Sequence, residues 1–186
     1  MILLVGKSAV GKDTIRKELN NLGIPSVVTY TTRPKREGEI DDVTYHFVDT
    51  SQFHRLNSQG AFIETTSYNV ATGETWYYGS AYKDLTNNSV MIVNPDGLKV
   101  IKNILGNEVV SFLITAKNDV IKNRLVKRGD NAEEATRRLE ADNRDFKDIE
   151  EYVDFSLRSD MGLSPLELAQ LIFRIYVGTT EEVINE

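Results

Sequence analysis

A glycine loop between an apolar run and a helical pattern constrains this chain most. The apolar run 2–5 leads into the loop GKSAVGKDT at 6–14. Gly6 and Gly11 permit backbone angles that other residues resist, so successive N–H groups can point into one concavity. The next helix adds its positive dipole end, and Lys12 adds a full charge. The alternative is a glycine-rich turn without a ligand, but this spacing, between strand and helix, favours a phosphate-binding loop. Its candidate nucleotide-binding residues are Gly6, Ser8, Ala9, Val10, Gly11, Lys12, Asp13 and Thr14.

The loop departs from the usual mononucleotide-binding pattern at one position. Asp13 follows Lys12 where Ser or Thr is usual, and the hydroxyl comes one residue later as Thr14. An acid at a helix start favours the dipole but repels a nearby phosphate. Two interpretations of Asp13 stay open. It orients metal-bound water beside a Thr14 contact to the metal, or it is a capping acid that faces away from the site.

Composition restricts the class of protein. The chain has 186 residues, 40% of them hydrophobic, and a net charge of −6. This size suits one α/β domain, and the acidic balance argues against nucleic-acid or membrane partners. No cysteine is present, so thiol chemistry is excluded. We expect a cytoplasmic protein, monomeric or homodimeric, whose first residues form a strand and not a signal sequence.

The hydrophobic pattern alternates between strand and helix along most of the chain. Strands are predicted over 2–5, 26–30, 43–48, 90–93, 108–114 and 153–157, with another between Gly60 and Asn69. Helices are predicted over about 11–21, 50–58, 81–87, 96–105, 117–128, 131–150 and 164–176, with a hairpin tip at 72–74 and a frayed acidic tail at 177–186.

This alternation predicts a three-layer α/β/α domain over 1–186 with a parallel core sheet. The predicted core comprises 1–30, 81–128 and 151–176. A β-rich insert over 31–80 and a small helical lid over 129–150 interrupt it. Two mobile flaps beside a phosphate loop suit phosphoryl transfer, which needs two substrates held in line and water excluded.

The insert carries a second set of phosphate-binding residue types. Arg33 and Arg36, three residues apart and beside hydroxyl groups, suit bidentate contact with a phosphate. The segment 30–48, YTTRPKREGEIDDVTYHFV, resembles the signature segment of guanylate kinases, which transfer the terminal phosphate of ATP to GMP or dGMP. The resemblance extends over about residues 1–176. It implies a P-loop kinase fold with a GMP-binding insert, and ATP used with Mg²⁺.

The resemblance also implies roles for individual residues. The GMP phosphate would be held by Arg33, Arg36, Tyr45 and Tyr78. Contacts to the nucleotide beyond its phosphate would come from Thr29, Glu64, Gly79, Ser80 and Asp96. Asn94 replaces the first acid of the family's Asp-x-Asp element. The lid arginines Arg128 and Arg138 would close over ATP, with Arg124 a weaker candidate, and the catalytic set would be Lys12, Arg33, Arg128 and Arg138.

Guanine recognition by Glu64 has a chemical reason. An ionised carboxylate only accepts hydrogen bonds, and guanine offers two adjacent donors on its Watson–Crick edge. Taken alone, a glutamate at this position is more often a surface residue. Glu64 and Tyr78 are also separated by about five more residues than in the family, which indicates an extended hairpin over 65–77.

Two other functions remain possible from the sequence. One is a nucleoside monophosphate kinase with a different base preference, which the long hairpin and Asp13 leave open. The other is a non-catalytic guanylate-kinase-like binding module. Such modules typically lose the phosphate loop and the lid arginines, whereas this chain has Lys12, Arg128 and Arg138. A guanylate kinase is therefore the favoured prediction.

Overall fold

The structure is a computed structural model that describes residues 1–69, 73–129 and 132–184. Its elements, in chain order, are β1 (Ile2–Val5), α1 (Lys12–Asn21), β2 (Tyr30–Thr31), β3 (His46–Phe47), α2 (Thr50–Ser58), β4 (Phe62–Asn69), β5 (Thr75–Ala81), β6 (Val90–Ile92), α3 (Pro95–Leu105), β7 (Val110–Thr115), α4 (Asn118–Lys127), α5 (Ala132–Asp145), β8 (Phe155–Arg158) and α6 (Pro165–Ile184). They form two compact units: unit 1 is Met1–Ser26 with Asn88–Glu186, and unit 2 is Val27–Asn87.

Unit 1 contains the predicted parallel sheet, with strand order β6-β1-β7-β8. All four residues of β1 are buried, as expected for a strand covered on both faces. Helices α1 and α6 pack together, and their apolar positions join one core with β1 and β7. The carboxyl ends of these strands carry the loops that follow, so loop 6–11 begins where β1 ends.

Unit 2 has its own sheet, with order β3-β2-β5-β4. The pairs β2–β5 and β4–β5 are antiparallel, and β2–β3 is parallel. Phe53 of α2 stacks on Phe62 of β4 with ring centroids 4.7 Å apart, and Tyr30 and Ala81 complete the buried cluster. The β-rich unit therefore has a small aromatic core of its own.

The predicted strand 26–30 is wrong. Only Ser26 bridges the parallel sheet, opposite Val90, and β2 belongs to the sheet of unit 2. The apolar run is divided because its last residue, Tyr30, packs against Phe62 with ring centroids 5.2 Å apart. The strand predicted over 43–48 is also reduced to β3, since Thr44 donates its N–H to Ile40 in a local turn.

Three helix predictions need correction. The predicted helix 81–87 is a single turn of 3₁₀ helix over Tyr82–Asp84, because β5 continues through Ala81. The charged helix ends at Asp145, and a 3₁₀ turn at Ile149–Tyr152 follows Asp148, whose φ is 62°. The tail predicted to fray is helical through Ile184.

The long hairpin is paired as far as the structure describes it. The β4–β5 pairing reaches the partners Asn69 and Thr75, and residue 72 of the predicted tip lies outside the described residues. Residue 131 of the predicted charged helix lies outside them as well. Within the described ranges, no helix has the length and apolar content needed to cross a bilayer.

Candidate functional site

The glycine loop joins β1 to α1 with little room to spare. A Cβ on Gly6 would lie 2.3 Å from the Ile114 carbonyl oxygen of β7, so only glycine fits there. Ala9 has a left-handed backbone conformation with φ 57°, and Gly11 has φ 109°. Gly11 accepts hydrogen bonds from the N–H groups of Thr14 and Ile15, which begins α1 directly after the loop. The loop thus places an N-terminal helix end at the carboxyl edge of the sheet.

Lys12 lies under the loop. Its ammonium donates to the carbonyl oxygens of Gly6 at 2.6 Å and Lys7 at 2.8 Å. Burial lowers the pKa of Lys12 to about 8, and the carboxylates of Asp13 and Asp142 act in the opposite direction. Two carbonyls of the loop therefore face a protein cation, so their peptide dipoles are directed away from the anion-binding side.

Helix α5 contacts the same loop from another direction. The backbone N–H of Ser8 donates to the Asp142 carboxylate at 2.6 Å, and Lys7 donates to the side-chain oxygen of Asn143. The Ser8 N–H group is thus already hydrogen-bonded to a carboxylate oxygen. These contacts could not be predicted from the sequence, because Ser8 and Asp142 lie 134 positions apart and no local pattern links them.

A cavity of about 350 Å³ lies beside the loop in unit 1. Val10, Gly11 and Thr14 line one part of it, and Arg128 at the end of α4 lines another. The structure therefore brings Arg128 close to the loop, and its charge acts to lower the Lys12 pKa. The cavity wall also includes Arg124, Lys127, Ser159, Leu163, Pro165 and Leu168.

Arg124 makes direct contacts with the loop. Its guanidinium donates to the carbonyl oxygens of Ala9 at 3.3 Å and Val10 at 3.0 Å, and to the hydroxyl of Ser159 at 3.1 Å. Ser159 also donates its hydroxyl to Val10 at 2.6 Å. The residue considered a weaker candidate from the sequence is thus hydrogen-bonded to the loop itself.

Asp13 pairs along its own helix. Its carboxylate lies 3.6 Å from the guanidinium of Arg16, and 66% of the side chain is exposed. In the part of the chain that the structure describes, no cluster of three or more His, Cys, Asp or Glu side chains could hold a metal ion. Thr14, the residue after Asp13, lines the cavity and carries a hydroxyl group.

In unit 2, Arg33 is fixed by a carboxylate. Its guanidinium donates to both oxygens of Glu39, at 2.6 and 2.9 Å, and to the Pro34 carbonyl at 2.7 Å. Only 4% of Arg33 is exposed. These hydrogen bonds lower the pKa of Glu39 to about 2, so the carboxylate is ionised near neutral pH. The exposed Arg36 donates its backbone N–H to the same carboxylate at 2.7 Å.

Aromatic side chains surround this arginine. The guanidinium carbon of Arg33 lies 5.3 Å from the ring centroid of Tyr45, and Tyr45 and Tyr78 have centroids 6.2 Å apart. Tyr68, on the long hairpin, lies 5.7 Å from Tyr78 by the same measure. The four predicted phosphate ligands thus belong to one region of unit 2, and the hairpin adds a fifth polar residue to it.

The predicted base-reading residues meet across β4 and β5. Glu64 and Ser80 are register partners, and the Ser80 hydroxyl donates to the Glu64 carboxylate. Burial raises the pKa of Glu64, while this hydrogen bond acts to lower it. Gly79 has a packing reason for lacking a side chain, since a Cβ there would lie 3.1 Å from both Phe53 and Phe62.

The remaining predicted residues lie elsewhere in the two units. Thr29 accepts a backbone hydrogen bond from His46 at 2.9 Å in unit 2. Asp96 is exposed in the first turn of α3 in unit 1, behind Asn94, whose side chain caps that helix by accepting from the Gly97 N–H at 2.7 Å. Arg138 is exposed on α5.

A strand, a glycine loop and a helix starting at a lysine, set in a parallel sheet, define the P-loop class of nucleotide-binding proteins. A family model described as guanylate kinase matches residues 1–162. The chain therefore belongs to the guanylate kinase family.

Several named proteins are similar to this chain. The guanylate kinase of Clostridioides difficile is 29% identical over 176 residues, covering 92% of this chain and 86% of that protein. The guanylate kinase of Helicobacter hepaticus is 34% identical over 138 residues, covering 69% of this chain and 66% of that protein. A crystal structure of guanylate kinase from Anaplasma phagocytophilum has a TM-score of 0.68 at 24% identity, over 96% of this chain and 84% of that one, which shows the shared fold.

Proposed function

We propose that this chain transfers the γ-phosphate of ATP to GMP or dGMP, forming ADP and GDP or dGDP. The observation that carries the choice of guanine is the Glu64–Ser80 pair of unit 2. A half-buried carboxylate fits the two adjacent donors of guanine, and the Ser80 hydroxyl orients it. Adenine presents an acceptor where guanine presents a donor, so it would leave a polar group unpaired.

The ATP phosphates would bind at the loop of unit 1. The loop N–H groups and the N-terminal end of α1 supply hydrogen-bond donors. The Lys12 ammonium would leave the loop carbonyls that it now contacts and bind phosphate oxygens instead. Arg128 and Arg138 would neutralise charge on the transferring group. The GMP phosphate would be held in unit 2 by Arg36, Tyr45 and Tyr78. Arg33 would add its charge there, with three of its N–H bonds already fixing the segment between it and Glu39.

The reaction needs no strong base. An oxygen of the GMP phosphate, already ionised, attacks the γ-phosphorus, and the bond from that phosphorus to the β,γ-bridging oxygen breaks, so that ADP leaves. Positioning and charge neutralisation therefore carry the rate.

Mg²⁺ is the metal that this chemistry implies. The donor set fits it, because a hard cation of this size is commonly held by substrate phosphates, water and few protein oxygens. Thr14 would supply a hydroxyl oxygen, while Asp13 pairs with Arg16. When bound, the metal would neutralise charge on the outer phosphates of ATP.

The experiment that tests this function is ADP release from ATP with GMP, dGMP, IMP, AMP and dTMP as acceptors. We expect the highest kcat/KM with GMP or dGMP. Glu64→Gln should lower kcat/KM for GMP about 10- to 100-fold, since it removes a charged acceptor. A glutamine offers one donor and one acceptor, which suits adenine better, so the ratio of GMP to AMP turnover should narrow.

The matched control is Glu74→Gln, which neutralises an exposed glutamate on the same hairpin. This variant should retain the guanine preference, and both variants should bind ADP as the unaltered chain does. Better turnover of dTMP or AMP than of GMP by the unaltered chain would assign a different base. No ADP release with any acceptor, from folded protein, would favour the non-catalytic binding module.

A further inference from the structure

Arg124 and Ser159 hold the loop on the side opposite to its N–H groups. The Arg124 guanidinium reaches two consecutive carbonyls, of Ala9 and Val10, and Ser159 donates its hydroxyl to the second of them at 2.6 Å. The same guanidinium bonds Ser159 through both its hydroxyl, at 3.1 Å, and its carbonyl, at 3.3 Å. Residues from α4 and from the segment after β8 thus converge on two peptide groups.

The direction of these carbonyls determines the direction of the next two N–H groups. A trans peptide is planar, and its C=O and N–H bonds point to opposite sides. The described chain has no cis peptide bond. When the Ala9 and Val10 carbonyls face Arg124, the N–H groups of Val10 and Gly11 must point away from it.

The other half of the loop shows the result of the same arrangement. Lys12 binds the carbonyls of Gly6 and Lys7, and the Ser8 N–H on the far side of the second peptide donates to the Asp142 carboxylate. Ala9, between the two halves, keeps a left-handed conformation with φ 57°. A residue other than glycine holds such a conformation only where its surroundings impose it.

We propose, building on the kinase function above, that Arg124 and Ser159 are positioning residues that orient the Val10 and Gly11 N–H groups for a nucleotide polyphosphate. They act through the loop carbonyls and need no contact with the base. Arg124 and Ser159 both line the cavity beside the loop, so a direct contact with ATP is the competing role. Ser159 separates the two roles, because its neutral hydroxyl holds the same Val10 carbonyl but cannot attract phosphate by charge.

The test uses inorganic tripolyphosphate, which has phosphates but no base, bound to the purified full chain in a calorimeter. Arg124→Ala should weaken this binding about 10- to 100-fold, and Ser159→Ala about 3- to 10-fold. The double variant should lose less than the product of the two single losses, because both residues act on one carbonyl. Arg124→Lys should recover part of the loss, since it keeps one donor but not the fork.

Lys122→Ala is the matched control, because it removes one positive charge from an exposed position on the same helix. It should change tripolyphosphate affinity less than about twofold, since exposed charges interact weakly. In kinetics, Arg124→Ala and Ser159→Ala should raise KM for ATP more than they lower kcat, while KM for GMP stays constant. A far-UV circular dichroism spectrum and a thermal unfolding midpoint equal to those of the unaltered chain verify that each variant is folded.

Three results would overturn the positioning role. Unchanged tripolyphosphate binding in Arg124→Ala would assign that residue to the base or to structure alone. Loss in Arg124→Ala without loss in Ser159→Ala would assign it to direct phosphate contact. If the unaltered chain does not bind tripolyphosphate, the loop is not a polyphosphate site and neither residue can orient it for one. An unaltered chain that binds it but does not phosphorylate GMP would instead contradict the proposed function, with the role of Arg124 still decided by the variants.

Discussion

Lys12 carries a charge whose presence depends on pH within the working range of an enzyme. Its pKa is about 8 because burial disfavours the ammonium, although two loop carbonyls and the Asp142 carboxylate favour it. Polyphosphate bound on the loop would favour the ammonium much more, because opposite charges at short range raise the pKa of a base. Binding of ATP should therefore be coupled to protonation of this side chain.

We predict that ATP binding takes up about half a proton at pH 8 and almost none at pH 6.5, where Lys12 is already charged. As the pH rises above 8, the free chain loses the ammonium, so kcat/KM for ATP should fall. Calorimetry in buffers with different ionisation enthalpies measures the uptake directly. Lys12→Arg is the control, because a guanidinium stays protonated throughout. Equal uptake by that variant would assign the proton to another group.

Single residues differ in how far the sequence could predict them. Glu64 and Ser80 were both predicted near the base, and strand pairing places them side by side. The Arg33–Glu39 pair was not predicted, although only six residues separate its members. Hydrophobic periodicity does not predict the partner of a charged residue in a turn. Glu39 reaches Arg33 because the backbone between them reverses direction. The loop contacts of Arg124 depend on tertiary packing in the same way.

Helix α5 carries the predicted lid arginine, Arg138, and is also hydrogen-bonded to the phosphate loop. Asp142 accepts from the Ser8 N–H, and Asn143 accepts from Lys7, so two neighbouring side chains attach the helix to the loop. A phosphate oxygen would use the same kind of donor. The Asp142 carboxylate is therefore in competition with any polyphosphate that needs the Ser8 N–H.

We predict that Asp142→Ala tightens ATP binding about 3- to 10-fold at pH 6.5, because it removes a competing acceptor and a repelling charge. Asp142→Asn should have an intermediate effect, since it keeps an acceptor without the charge. Titration calorimetry gives the dissociation constants. Glu140→Ala removes an exposed acid from the same helix and should change affinity less than about twofold. Weaker ATP binding by both Asp142 variants would show that the contact supports the loop.

Elements with strong periodicity were predicted closely, and those set by partners were not. Helices α1, α2 and α3 agree with the apolar spacing and caps, such as Asp49 at the start of α2. The helix predicted over 81–87 failed because Ala81 pairs with Phe62 and extends β5 instead. Helix α6 is longer than predicted. Thr179 and Thr180 donate their hydroxyls to carbonyls one turn earlier, which keeps polar groups paired inside the helix.

At the scale of the whole molecule, each of the two units has a hydrophobic core among the residues that the structure describes. The parallel sheet and its helices form the core of unit 1, and the aromatic cluster around Phe53 forms that of unit 2. The sequence indicated a β-rich interruption because its pattern changes from alternating strand and helix to short strands and turns. The pattern could not show that Tyr30 serves the second core, since an apolar run reads alike in either sheet.

Separate cores predict separate effects of core substitutions. Phe53 is 1% exposed and stacks on Phe62, so Phe53→Ala should destabilise unit 2 by about 3–5 kcal/mol. Ile172 is fully buried in the core of unit 1, and Ile172→Ala should destabilise that unit by about 2–5 kcal/mol. Hydrogen exchange should show lost protection in β4 and β5 for the first variant, and in α1 and β1 for the second.

Ligand binding should follow the same division. Phe53→Ala should weaken GMP binding and leave the ADP affinity within about twofold, because the loop of unit 1 keeps its supporting core. Ile172→Ala should weaken ADP binding and leave the GMP affinity within about twofold. Calorimetric titration of each variant with each nucleotide makes the comparison, at a temperature where both variants remain folded. Equal loss of protection in both sheets from either substitution would mean that the chain unfolds as one cooperative structure, because neither core could then open without the other.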